Sequence, residues 1–171
     1  MISYDVKKYL ERLLQEVGAK KVLTSARDAN VAKPSEWASV TFPEEDRYEH
    51  RNEKFTYTDS ETERTWTKRK AIVTATVLVK ITAATPERSQ QLADEFLAQV
   101  PRYIPDSQGF AIKLSLDQSV TQDEDSEVAD KNLVQIGLVA VGGVWIRKVV
   151  PLIQQVVPEG KFVKQGELDD E

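Results

Sequence analysis

The amino-acid sequence predicts an α+β fold: a mostly antiparallel sheet with two helices on one face and a projecting β-ribbon. Three observations predict it. Two segments, near residues 2–17 and 86–100, repeat apolar side chains at three- and four-residue steps, the period of an amphipathic helix. Residues 66–82 alternate apolar and polar side chains, the period of a half-buried strand. Residues 55–66 place threonines and aromatics on both sides of a polar turn, the composition of a hairpin with little to bury.

The first helix follows from Ile2, Val6, Tyr9, Leu10, Leu13, Leu14 and Val17, which form one stripe. Ser3 is the expected N-cap and Asp5 lies in the first turn, where negative charge suits the helix dipole. Gly18 stands where the helix should stop, with Lys20 and Lys21 just beyond. A short strand is expected over Lys21 to Thr24, then a loop of small and polar residues to Glu36. Trp37 to Phe42 reads as a second short strand, ended by Pro43. Residues 43–66 form a charged arm followed by the hairpin, in which Phe55 to Thr58 meets Glu61 to Trp66 across Asp59-Ser60. A two-stranded ribbon is marginal alone and gains from lying on a neighbouring molecule.

In the long strand Ala71, Val73, Ala75, Val77, Val79 and Ile81 share one face. Lys68, Lys70, Thr74, Thr76, Lys80 and Thr82 share the other, interrupted by Ile72 and Leu78. Thr85-Pro86 opens the second helix, as cap and first-turn proline, and Leu92, Phe96, Leu97 and Val100 make its stripe. Pro101 stops it and Pro105 keeps the exit extended. Phe110, Ile112, Leu114 and Leu116 alternate as one side of a further strand. After an acidic loop over 122–130, Leu133 to Val141 and Val144 to Val150 are expected to be two strands joined by a turn at Gly142-Gly143. The expected organisation is one α+β domain over residues 1–152, with 43–66 projecting, and a C-terminal extension over 153–171 that ends in an acidic tail.

The chemistry is bounded by what the 171 residues contain. With no cysteine, disulfides, thiolate catalysis and thiolate metal sites are excluded. No apolar run reaches the roughly 20 residues of a membrane helix, and the first residues lack the charged and apolar regions of a signal peptide. A cytoplasmic setting is therefore expected, with no membrane partner. A net charge of −5 weighs against wrapping nucleic acid, which wants basic residues in surplus. The single histidine, His50, sits in the charged arm without an apolar pocket, so exposure fits it better than acid-base catalysis.

Asp123, Glu124, Asp125, Glu127 and Asp130 invite a calcium reading, but Val128 stands where the loop would need its glycine. A solvated loop, or an acidic wall repelling passing phosphates, fits better. Lys68, Arg69 and Lys70, near Arg64 and Trp66, form a basic cluster; strand alternation puts Lys68 and Lys70 on one face and Arg69 on the other. A surface face, or a surface for an acidic partner, suits this better than nucleic-acid binding. Gly142-Gly143 lacks the spacing of a phosphate loop and no serine lies in a nucleophile elbow. No catalytic constellation, metal or cofactor is expected, and the chain reads as a non-enzyme. Trp145 is the tryptophan expected in the core, whereas Phe55, Tyr57 and Trp66 have least core to receive them.

Over residues 62–104, Thr65-Trp66-Thr67-Lys68-Arg69-Lys70, the long alternating strand, the Thr85-Pro86-Glu87 helix start and Phe96 to Ile104 resemble tail-completion or neck proteins of long-tailed phages. Across residues 1–152 the element order is similar to that of the tail terminator family. That resemblance implies a structural virion protein, assembled in the host cytoplasm into a homo-oligomeric, hexameric ring. Such a ring caps the tail tube protein, docks the head-tail connector proteins, and lets DNA pass through its lumen without specific binding. The resemblance carries no functional residues with it. As hypotheses about this chain, Phe55, Tyr57, Trp66, Lys68 and Lys70 are expected at the subunit interface, and Asp123, Glu124, Asp125 and Glu127 at the lumen. The alternatives are another neck component, a stopper or head-tail adaptor, and, in a different class, a small ligand-binding or regulatory module.

Overall fold

A computed structural model describes residues 2–24, 35–49, 54–60, 63–117 and 132–151. The elements run α1 (Ile2–Glu16), β1 (Val22–Leu23), β2 (Trp37–Thr41), β3 (Arg47–Glu49), β4 (Lys54–Asp59), β5 (Glu63–Thr82), α2 (Pro86–Gln99), β6 (Tyr103–Pro105), β7 (Ala111–Leu116) and β8 (Leu133–Pro151). The class is the expected α+β, with one mixed, mostly antiparallel sheet in the order β1-β2-β5-β8-β7-β6. β3 and β4 lie end to end beside β5, on the flank it also gives to β2. The β1–β2 pair is parallel.

The helices form where periodicity places them. Val6, Leu10, Leu13 and Leu14 of α1 are buried, and Leu92, Ala93 and Phe96 of α2 join them against the sheet. Gly18 ends α1 at φ +95°, a conformation that costs glycine little. There the Ala19 amide donates to the Leu14 carbonyl at 3.0 Å and the Gly18 amide to the Gln15 carbonyl at 3.1 Å, which satisfies the last carbonyls. Ser3 is not the cap: it lies inside the first turn, and its hydroxyl donates to Asp46 instead. Thr85 does cap α2, its hydroxyl accepting from the Arg88 amide at 3.2 Å.

The core face of β5 carries Ala71, Val73, Ala75, Val77, Val79 and Ile81, all buried, with Val134, Ile136, Leu138 and Ala140 of β8 beside them. Phe96 is fully buried at its centre. β6 was not anticipated. It has three residues, the last of them Pro105, too short for any period to show, and it pairs Ile104 with Ile112. Its turn into β7 is built by Asp106, whose carboxylate accepts from the Gln108 and Phe110 amides at 2.8 Å each. Leu116, expected beside Ile112 and Leu114, is exposed at the strand's end. Among the described residues no helix is long and apolar enough to cross a membrane.

Two expectations are corrected. Gly142-Gly143 is not a turn: β8 runs unbroken through it, with Gly142 opposite Val73 and Gly143 opposite Ile72. Both glycines serve close approach. A Cβ on Gly142 would stand 2.5 Å from Cδ1 of Ile2, and one on Gly143 would stand 2.7 Å from Nε1 of Trp145. The second correction concerns the faces of β5. The register shifts between Arg69 and Ala71, so one extra residue inverts the alternation. Lys68 therefore lies on the side that continues from Ala71 and Val144, not on the solvent side with Thr74 and Thr76.

A Gly142→Val variant should lose about 1–3 kcal/mol of stability to overpacking, measured by urea denaturation. Combined with Ile2→Ala, the loss should fall short of the sum of the two single losses, because the pair shares one space. Strict additivity would mean that the helix does not rest on this glycine.

Candidate interaction surface

Beyond Ala71 the two long strands leave the helices behind. β5 from Glu63 to Lys70 and β8 from Val144 to Pro151 stay paired, and β4 adds a third strand along β5. The eight β5 residues extend roughly 25 Å at ordinary strand rise. The expected two-stranded ribbon is thus three-stranded, because the segment after the glycines joins it instead of folding back.

Its rungs follow from the register. Phe55, Lys68 and Ile146 are level; Tyr57, Trp66 and Lys148 come next; Asp59, Arg64 and Val150 lie nearest the tip. These nine share the face that continues the core side of the sheet. The other face carries Thr56, Thr67 and Arg147, then Thr58, Thr65 and Val149. Of the interface residues expected from sequence, Phe55, Tyr57, Trp66 and Lys68 come together here, while Lys70 is the exposed extra residue at the register shift.

The central strand is shielded by its neighbours and the flanking strands are not. Thr67 is buried and Trp66 half-buried, whereas Tyr57 is 66 % exposed, Phe55 48 %, Val149 50 % and Ile146 43 %. Large apolar side chains clustered at such exposure mark an interaction surface. Cations lie over the rings: Lys68 Nζ is 4.8 Å from the Phe55 ring centre and the Arg64 guanidinium 5.9 Å from that of Tyr57. Arg64 also holds Asp59 in a two-pronged pair at 2.7 and 2.8 Å. These hydrogen bonds set the Asp59 carboxyl below its usual range, against the opposing effect of desolvation, with the charge attraction of Arg64 contributing least. Basic residues dominate the ribbon, with Arg64, Lys68, Arg69, Lys70, Arg147 and Lys148 against Asp59 and Glu63, although the whole chain is acidic.

At the ribbon's base Trp145 stacks on Phe110, ring centres 4.5 Å apart, with Arg69 5.7 Å from the indole. Trp145 is half-buried there and not in the main core cluster. A recess of about 130 Å³ lies alongside, lined by Ile2, Asp5, Tyr48, Asp106, Ser107 and Trp145. Its carboxylates are occupied: Asp5 accepts from the Ser107 amide and hydroxyl at 3.2 and 3.3 Å, and Asp106 from its own turn. Among the described residues no group of three or more His, Asp or Glu side chains is placed to hold a metal ion.

Asp123, Glu124, Asp125, Glu127, His50 and the acidic tail lie outside the described residues. The exposed aliphatics of β8 were missed in the sequence because Gly142-Gly143 looked like a turn. Their signal was present in the alternation of Val144, Ile146 and Lys148. No protein-family model matches the chain, and no curated protein matches it.

The Asp59–Arg64 pair gives the ribbon tip a pH dependence. A carboxyl with a lowered folded value adds stability above its unfolded value, and that stability is lost as pH falls through the folded one. At neutral pH, Asp59→Asn should speed amide exchange several-fold over 55–58 and 64–67 while leaving Ala75 to Val79 unchanged. The gap between parent and variant should close below the usual carboxylate range. A gap that persists in acid would assign the effect to something other than the charge.

Proposed function

We propose that this chain is a structural subunit of a homo-oligomeric ring, a tail terminator that closes the end of a phage tail tube and offers a docking surface to the head-side connector. The observation that carries the reading is the three-stranded ribbon, whose exposed aromatic and aliphatic side chains have no core of their own. A part so shaped gains most when another molecule covers it. A head-to-tail contact that closes on rotation makes a ring, and a projecting arm is suited to span such a contact. The resemblance of residues 62–104 to neck proteins supports the placement at a tail end, in the virion. A net charge of −5 suits a wall past which DNA slides without adhering. No catalytic step belongs to the proposal.

Light scattering on the purified chain should give the mass of about six copies, with rings in negative-stain images. The double variant Phe55→Ser, Tyr57→Ser should then run as a monomer at the concentration at which the parent is assembled. Its far-UV circular dichroism should match that of the parent, since both side chains are exposed in the single chain and their loss leaves the core intact. Rings that survive this variant would remove the ribbon from the contact. A parent that stays monomeric at high concentration, and does not bind tail tubes, would remove the terminator reading.

A further inference from the structure

Among the described residues both long sides of the ribbon end in open strand edges. β4 pairs only with β5, and β8 has no partner on its outer side beyond Val141, among the described residues. Each edge offers a row of backbone donors and acceptors, a template for a further strand. We infer that the outer edge of β8 takes β4 of the next copy, so that ribbons join side by side into one sheet running around the assembly. This rests on the ring reading and says which contact makes the ring.

Strand direction favours this occupant. β4 and β8 are both antiparallel to β5, so they run the same way. Rotation of one copy about an axis along the ribbon brings β8 beside the next β4 as parallel neighbours and leaves a fresh β8 edge on the far side. The contact is therefore head-to-tail and repeats until it closes. A two-fold axis would instead set β8 against its own copy, antiparallel. Directly opposite residues share a face, so near-full overlap of residues 144–151 in that arrangement sets either Arg147 opposite its own copy or Lys148 opposite its own copy, and like charges directly opposite are destabilising.

The side chains suit the parallel arrangement. On the shared face β4 presents Phe55, Tyr57 and Asp59 in order, and β8 presents Val144, Ile146 and Lys148 in the same direction. A stagger of two residues from the rungs within one copy sets Val144 beside Phe55, Ile146 beside Tyr57 and Lys148 beside Asp59. Apolar meets apolar and cation meets carboxylate. Stagger between neighbours is also what closing a sheet on itself demands.

The chain has no cysteine, so it can be cross-linked by design. Within one copy β5 separates β4 from β8 by about two strand spacings, roughly 9–10 Å, beyond the reach of a disulfide. Tyr57→Cys is combined in turn with Val144→Cys, Ile146→Cys and Lys148→Cys, all exposed positions, and assembled protein is oxidised. Each double variant is run beside its two single variants on denaturing gels.

The expected result is a ladder of covalent species up to the full ring, strongest for Tyr57→Cys with Ile146→Cys, and no ladder from any single variant. A dimer from a single β8 variant would establish a two-fold contact and overturn the proposal. Rings by light scattering with no cross-link from any double variant would overturn the edge pairing and leave the ring reading standing. Monomers for the parent and every variant would remove both.

Discussion

The antiparallel ladder between β5 and β8 sets the geometry of everything else. It runs from Thr82 opposite Leu133 to Glu63 opposite Pro151 with one register shift. Its inner half receives α1 and α2 on one face and is flanked by β2 and β7. Among the described residues its outer half receives only β4. The same two strands thus form the centre of a core and the spine of an arm, and no hinge separates them. The position of the arm relative to the core is fixed by backbone hydrogen bonds that continue through both.

The transition between the halves is local and specific. Gly142 lets the first turn of α1 sit against β8, with Ile2 filling the space a side chain would take. Further out, between the Ala71–Val144 and Arg69–Trp145 rungs, the extra residue at Lys70 turns the β5 side chains over. Without that inversion Arg69 would lie level with Ile146, and Phe55, Tyr57 and Trp66 would lie on the face opposite Ile146 and Lys148. The shift is what gathers the aromatics of β4 and β5 with the aliphatics of β8 on a single face.

Much of the fold was legible in the sequence, and the failures have physical causes. Both helices, the Gly18 stop and the Thr85 cap were readable because period and capping chemistry are local properties. The hairpin of Phe55 to Trp66 was readable for the same reason, and four of the five expected interface residues share its face. Gly142-Gly143 misled because the pair serves a turn or a close approach equally well, and only the partner strand decides between them. The inverted placement of Lys68 was illegible because an extra residue in one strand shows only against the strand opposite. β6 had too few residues to carry a pattern, and Ser3 was drawn from its capping role by Asp46, distant in the chain.

The sequence separation across the ladder also orders its formation. Partners at the inner end lie about 50 residues apart along the chain, and those at the outer end nearly 90. Loop-closure entropy and the absence of burial both work against the outer rungs until the inner ones are in place. Loop closure thus favours growth of the β5–β8 ladder from the core end outward. The β4–β5 hairpin is local, its partners five residues apart at Asp59–Arg64 and fifteen at Lys54–Arg69, and its closure does not wait on that order. Of the arm's two edges it is therefore the β8 edge whose formation is tied to a paired core.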